Sequence, residues 1–255
     1  MIEARALSKR YGDLVAVDGV DFAIGRGEVV GFLGPNGAGK TTTMRMLTGF
    51  LPPTNGTAVI AGHDIFAEPL AARRAVGYLP ETPPLYPEMT VASYLRYVAS
   101  IKDVPRRARR EAVDRALERC GLGAVRWRVI GTLSKGFRQR VGLAQAIVHD
   151  PPVLILDEPT IGLDPLQIQE IRGLISALAR PRDGAPEHTV ILSTHILPEV
   201  EAICRRVILI HEGRKVVDAP LEELTRGGRR LEEIFARETT RDAARVGARA
   251  GEGAG

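Results

Sequence analysis

The residues Gly34-Pro35-Asn36-Gly37-Ala38-Gly39-Lys40-Thr41 set glycines, a lysine and a hydroxyl at the spacing G-x4-G-K-T. Glycines at this spacing let the backbone curl, so that successive N–H groups face one anion. A helix that follows turns its positive dipole end to the same anion. The loop is read as a cradle for the phosphates of ATP, with Lys40 on the β- and γ-phosphates, Thr41 on Mg²⁺ and Thr42 on a phosphate oxygen. A second group lies downstream. Val153-Leu154-Ile155-Leu156 is an apolar run that ends in Asp157-Glu158. Asp157, at the end of a strand, can hold Mg²⁺ through water. Glu158, one residue on, is placed to accept a proton from the water that attacks the γ-phosphate. Catalysis of this kind is mostly positioning plus charge neutralisation. The chemistry implied is ATP hydrolysis, with ATP and Mg²⁺ as cofactors.

The elements around these residues suit an α/β fold. Val29 to Leu33 is a short apolar run entering the phosphate loop, and Thr41 to Thr48 has a helical pattern. Val153 to Leu156 and Thr189 to Leu192 are apolar runs bounded by breakers, as in strands buried on both faces of a parallel sheet. Residues 1 to 30 read as an antiparallel start, with Ala16 to Ile24 alternating as a half-buried strand. Thr57 to Ala61 reads as a strand after the turn at Pro52 to Gly56. Val207 to Ile210, Glu212-Gly213 and Lys215 to Val217 read as a terminal hairpin. From about Thr90 to Ala146 the pattern is helical, with Val113, Leu117 and Cys120 on one face of Arg106 to Cys120. The predicted architecture is a P-loop NTPase core with a mixed sheet, an N-terminal antiparallel β part and a helical insertion subdomain. Residues 1–82 and 151–220 form the core with its antiparallel part. Residues 83–150 form the helical subdomain, 221–240 a closing helix, and 241–255 a disordered tail poor in core-forming residues.

Composition narrows the class. The chain has 255 residues, 44% of them apolar and 26% charged, which is ordinary for a globular domain. Its net charge of +4 and 5% aromatics, without basic clusters interleaved with aromatics, give no sign of a nucleic-acid surface. The arginines at 106, 107, 109 and 110 read as a solvated helix face. Cys120 and Cys204 form no CxxC pair, so no disulfide framework or zinc site is expected. The start of the chain lacks the apolar run of a signal peptide. No apolar stretch approaches the roughly 20 residues that cross a bilayer, so any membrane part is expected on another chain.

Further motifs, in order, resemble the ATP-binding subunits of ABC transporters over residues 1 to 220. Tyr11 stands where that family stacks an aromatic ring on adenine. Leu133-Ser134-Lys135-Gly136-Phe137-Arg138-Gln139 resembles the family's signature, usually written LSGGQ, with Lys135 in place of Gly and Phe137 in place of Gln. Gly162-Leu163-Asp164 resembles the loop that crosses the dimer interface, and His195 the switch histidine that contacts the γ-phosphate. Glu81, in Gly77-Tyr78-Leu79-Pro80-Glu81, stands where the family usually has Gln, and a carboxylate there is still an oxygen ligand for Mg²⁺. Glu81 together with the Ser-Lys-Gly signature resembles the exporter branch whose membrane subunits are of ABC-2 type.

The resemblance implies a head-to-tail pair, either a homodimer or a pairing with a paralogous ATPase subunit. Ser134, Lys135, Gly136 and Asp164 of one copy would complete the ATP site of the other. It also implies an integral membrane permease on a separate chain, docked in a groove near Glu81 to Thr90. The location implied is cytoplasmic, peripheral to the cytoplasmic face of the membrane, with no nucleic-acid partner. Three alternatives stand beside this. A non-hydrolysing regulatory or interaction subunit is argued against by the intact Lys40, Glu158 and His195. A soluble relative acting on ribosomes or DNA would carry two cassettes or a long coiled-coil insertion, and the sequence has one cassette without room for that insertion. An importer ATPase would favour Gln at position 81 and an unaltered LSGGQ. The cargo leaves no trace in the sequence.

Overall fold

The computed structural model describes residues 1–180 and 188–240. Its strands in chain order are β1 Ile2–Tyr11, β2 Leu14–Ile24, β3 Val29–Leu33, β4 Asn55–Ile60, β5 His63–Asp64, β6 Val76–Leu79, β7 Val153–Asp157, β8 Thr189–Thr194, β9 Arg206–His211 and β10 Arg214–Pro220. The helices are α1 Lys40–Leu47, α2 Pro69–Arg74, α3 Val91–Ile101, α4 Arg109–Arg119, α5 Lys135–Ile147, α6 Pro165–Leu178, α7 Leu197–Ile203 and α8 Leu221–Thr225. The antiparallel part is a sheet of its own, in the order β2-β1-β4-β5. The second sheet runs β10-β9-β3-β8-β7-β6 and is parallel except for the β9–β10 hairpin at its edge.

The period-2 geometry of strands divides the core in two. In β7, Val153 and Ile155 face one side, Leu154 and Leu156 the other. The same alternation runs through Val190, Ile191 and Leu192 of β8 and through Val207 to Ile210 of β9. One face packs on α1 and the antiparallel sheet, through Met44, Leu47, Ile2, Phe22 and Ile60. The other packs on the helical segment, through Tyr94, Leu95, Leu117 and Val141, and on α6, through Ile175. The residues at 83–150 therefore share one continuous core with the sheet. Each such side chain taken out of water contributes about 1.5–3 kcal/mol.

One close joint between segment and sheet is at Gly77 of β6. A β-carbon there would overlap the Ala146 carbonyl oxygen of α5 and stand 2.8 Å from Leu154 Cδ2. Backbone on one side leaves little room to yield. Gly77→Ala should cost about 1–3 kcal/mol, read as a lower denaturation midpoint in urea with an unchanged slope. A midpoint equal to the wild type's would show that the joint yields.

The closing stretch 221–240, expected as one helix, holds two helical pieces. α8 ends at Thr225, the chain turns at Gly227 and Gly228, both at positive φ, and residues 231–240 are helical. Leu231 and Ile234 of the second piece are buried against the core. The tail expected at 241–255 lies outside the described residues.

Candidate active site

Sheet order alone gathers the chemistry. β3, β8, β7 and β6 are consecutive neighbours, and their carboxyl ends feed Gly34, His195, Glu158 and Pro80-Glu81. Ligands of open α/β sheets bind at this edge.

α1 begins at Lys40 with Gly39 as its cap, at φ 102 and ψ 3, and no side chain caps the helix start. A β-carbon on Gly39 would stand 2.5 Å from the Ala16 carbonyl oxygen of β2. Only glycine combines that dihedral with that approach. The first-turn N–H groups, which no i−4 carbonyl serves, open towards the loop and suit a phosphate. Lys40 is buried. Its Nζ donates to the Gly34 oxygen at 2.8 Å and the Pro35 oxygen at 3.2 Å, and lies 3.5 Å from Glu158 Oε1.

Glu158 follows β7 directly and takes φ +48, a left-handed backbone that costs a non-glycine residue about 1–3 kcal/mol. Its N–H donates to the Ser193 oxygen of β8 at 2.8 Å. This bend turns its buried carboxylate back over the phosphate loop. His195 Nδ1 lies 2.9 Å from Oε1 and 3.0 Å from Oε2. A carboxylate only accepts, so Nδ1 carries the proton and Nε2 is left for another partner. Asp157 lies beneath, fully buried, and neither carboxylate oxygen has a hydrogen-bond partner among the described residues. Burial pushes its carboxyl above the ordinary value. Nearby Ser193 and Thr41 hold part of that shift back, and the charges of Glu158 and Glu81 add to it.

A cavity of about 470 Å³ opens above these groups. Tyr11, Asn36, Gly37, Gly39, Lys40, Thr41, Thr42, Glu81, Glu158 and His195 line it, with Leu14, Ala16 and Ile161, which the sequence reading had not singled out. Tyr11 is 47% exposed, and Lys9 Nζ stands 5.4 Å from its ring centroid. Gly34 and Pro35 lend carbonyl oxygens to Lys40 from behind the loop, and Ala38 is buried in the core. Ser134, Lys135, Gly136 and Asp164 do not line this cavity. They gather in a patch of their own. Ser134 caps α5 and accepts from Phe137 N–H at 3.3 Å, and Asp164 caps α6 and accepts from Gln167 N–H at 2.9 Å. Gly136 abuts Gln167, and the Lys135 ammonium packs over Gly162.

Sequence reasoning also missed Thr160, Thr194 and Glu199. The two threonine hydroxyls donate to the Glu199 carboxylate, which is buried on α7. The one available signal was an acidic residue four places after His195, and it gave no hint of burial.

The family model for ABC transporters matches residues 17–161, more than half of the chain. The bacitracin transport ATP-binding protein BcrA of Bacillus licheniformis is 39% identical over 234 residues, covering 92% of this chain and 74% of the relative. The Nod factor export ATP-binding protein I of Burkholderia orbicola (strain AU 1054) is 39% identical over 221 residues, 85% of this chain and 70% of the relative. The probable multidrug ABC transporter ATP-binding protein YbhF of Escherichia coli (strain K12) is 38% identical over 88% of this chain, which spans only 38% of its length. Among solved structures, the ATP-binding subunit of an ABC transporter superposes with a TM-score of 0.81 at 32% identity, covering 94% of this chain and 99% of that one. The dimeric structure of MJ0796, a bacterial ABC transporter cassette, superposes with a TM-score of 0.76 at 26% identity, covering 87% and 99%. With a phosphate loop, a carboxylate and a histidine on three neighbouring strands, this chain belongs to the ABC transporter family as one of its ATP-binding ATPase domains.

Proposed function

We propose that this domain hydrolyses Mg²⁺-bound ATP at a site shared by two copies, and that the cycle drives export through a permease of ABC-2 type on a separate chain. The observation that carries the hydrolytic reading is the Glu158 carboxylate, held 3.5 Å from Lys40 Nζ and 2.9 Å from His195 Nδ1 at the mouth of the phosphate loop.

In this reading the glycine loop and Lys40 bind and align the triphosphate, with Tyr11 against the adenine. Water attacks the γ-phosphorus in line, and the bond to the ADP oxygen breaks. Glu158 takes the proton that water sheds. His195 Nδ1–H steadies that carboxylate, and Nε2 faces the γ-phosphate. Ser134, Lys135, Gly136 and Asp164 lie away from their own cavity, as residues serving a partner's site would. ATP draws the pair together, and hydrolysis with product loss lets it open, a ligand-driven population shift.

The residues present fit Mg²⁺. Asp157 offers two buried oxygens without hydrogen-bond partners among the described residues, close to the Thr41 hydroxyl and the Glu81 carboxylate, which line the cavity above it. All are oxygen donors, which suits a hard cation that keeps several waters. Bound there, Mg²⁺ would neutralise charge on the phosphate oxygens. A stability prediction follows from Asp157 itself. Its pKa is raised on folding, so the native chain holds the proton to higher pH than the unfolded chain. Stability falls as pH rises through that interval, upward from the ordinary value of 3.8. Asp157→Asn should therefore raise the melting temperature of the nucleotide-free chain near pH 7, and the gain should shrink as pH falls towards the ordinary carboxylate range. The same variant should lose about 10–100-fold in Mg²⁺-dependent turnover. A lower melting temperature at pH 7 would contradict the unpartnered charge.

Export is supported by Glu81, by the Ser134-Lys135-Gly136 sequence and by relatives named for export. No helix among the described residues is long and apolar enough to cross a membrane. Docking of a permease is supported by Tyr86, on the segment after Glu81, and Tyr97 of α3, 44% and 42% exposed, which meet edge-to-face with ring centroids 5.6 Å apart. Tyr97→Glu should leave the ATPase rate of the isolated domain within about twofold, because the residue lies off the cavity, and should abolish stimulation by the permease. Stimulation at the wild-type level would exclude this docking face. The direct test of hydrolysis is turnover of Glu158→Gln.

A further inference from the structure

The carboxylate of Glu199 has no part in the reaction above, yet it is 1% exposed. Thr160 Oγ1 donates to its Oε1, and Thr194 Oγ1 donates to its Oε2 at 2.9 Å. Thr160 lies two residues after Glu158, on the loop leaving β7. Thr194 ends β8, directly before His195. One buried carboxylate thus ties together the two loops that carry the Glu158–His195 contact. We propose that Glu199 is a positioning residue that holds Glu158 and His195 in register for ATP hydrolysis, an inference that rests on the hydrolytic reading above.

Three observations support it. Glu199 is the third residue of α7, where a glutamate often reaches back to the N–H of the capping residue. Here that N–H, of Ile196, donates instead to Thr194 Oγ1 at 3.1 Å, so the carboxylate is not used to cap the helix. A buried charge is also a costly way to fill space, and apolar side chains of the same volume often serve stability as well or better. Glu199 makes no ion pair among the described residues, and its two hydroxyl partners both belong to the loops of the site. Finally, Glu158 holds a strained backbone at φ +48, which persists only where its surroundings over-determine it. Among the described residues, the hydrogen bonds that tie the two loops besides the Glu158–His195 contact are Glu158 N–H to the Ser193 oxygen and the Glu199 clasp. Misplacing a catalytic group by about 1 Å can cost about 100-fold in rate.

The test uses the full chain. Steady-state ATPase rates are measured for Glu199→Ala, Glu199→Gln and Thr160→Val, with Glu158→Gln in parallel. The His195 imidazole is followed by ¹⁵N NMR and assigned by its loss in His195→Ala. Glu199→Ala should lower kcat about tenfold or more, with KM for ATP within about twofold. It should also shift the His195 Nδ1 resonance. Glu199→Gln should restore most of the rate and the wild-type resonance, because its amide can accept from one hydroxyl and donate to the other. Thr160→Val keeps the volume and cuts one arm of the clasp, so it should lower kcat in the same sense even if Glu199→Ala does not fold. A loss confined to KM, a Gln variant no better than Ala, or wild-type kcat in both Glu199→Ala and Thr160→Val overturns the proposal. Those results beside an inactive Glu158→Gln remove the positioning role alone. Wild-type turnover in Glu158→Gln removes the hydrolytic reading itself.

Discussion

Glu158→Gln should lower ATP turnover by about 10²–10⁴-fold, the range a positioned general base contributes, while ATP affinity stays within a few-fold of the wild type's. The substitution keeps the volume of the side chain, so the cavity keeps its shape. The amide oxygen can still accept from His195 Nδ1 and still face Lys40 Nζ, which now stand 2.9 Å and 3.5 Å from the carboxylate. What is lost is the capacity to take a proton from water. The separation of turnover from binding is the informative part. Phosphate release and nucleotide titration on one preparation give both numbers. A Gln variant that turns over at the wild-type rate would remove Glu158 from catalysis. One that no longer binds ATP would make it a structural support of the loop.

Lys40→Ala should act on binding first. The ammonium serves three oxygens, those of Gly34, Pro35 and Glu158, from a buried position inside the loop that would hold the phosphates. Hydrogen bonds to charged groups contribute about 1.5–3 kcal/mol each, and every 1.4 kcal/mol is tenfold. Loss of the lysine's contacts to two phosphates should therefore weaken ATP binding by about 100-fold or more, with turnover falling at least as far. The fold should survive. Stripping one partner from a buried ion pair costs about 3–5 kcal/mol when the other is left alone, but Glu158 keeps His195 at 2.9 Å, so the loss falls below that range. Calorimetric titration with ATP, beside a circular dichroism spectrum, checks both halves. Wild-type affinity in a folded variant would mean that the phosphates sit elsewhere.

Much of the site was legible because its parts are local in sequence. Gly34 to Thr41 carries its geometry in its composition, and Asp157-Glu158 follows an apolar run that can hardly be anything but a buried strand. The parallel strands β3, β7 and β8 showed as short, largely apolar runs for the same reason. Their neighbour β6 did not. It has four residues, Val76 to Leu79, one of them Gly77, whose reason for being there is the distant backbone of α5. The antiparallel part was legible, but not the pairing of β1 with β4, about fifty residues on, that makes it a sheet of its own. Among site residues, Glu199 was invisible. A glutamate on a short helix reads as solvent-facing until the packing of α7 shows that its oxygens are enclosed by two threonines. The Lys135 ammonium likewise rests on Gly162 of its own chain, a contact that spacing could not suggest.

Because the signature patch lies apart from the cavity of its own chain, the proposed cycle needs a second copy to complete each ATP site. Sedimentation velocity of Glu158→Gln tests it most directly, with Mg²⁺-ATP, with Mg²⁺-ADP and without nucleotide, alongside the same variant carrying Ser134→Arg. Dimers are expected with Mg²⁺-ATP, monomers in the other two conditions, and monomers throughout once Ser134 is replaced. A Glu158→Gln chain that is folded and saturated with Mg²⁺-ATP, yet sediments as a monomer at every concentration tested, would contradict it.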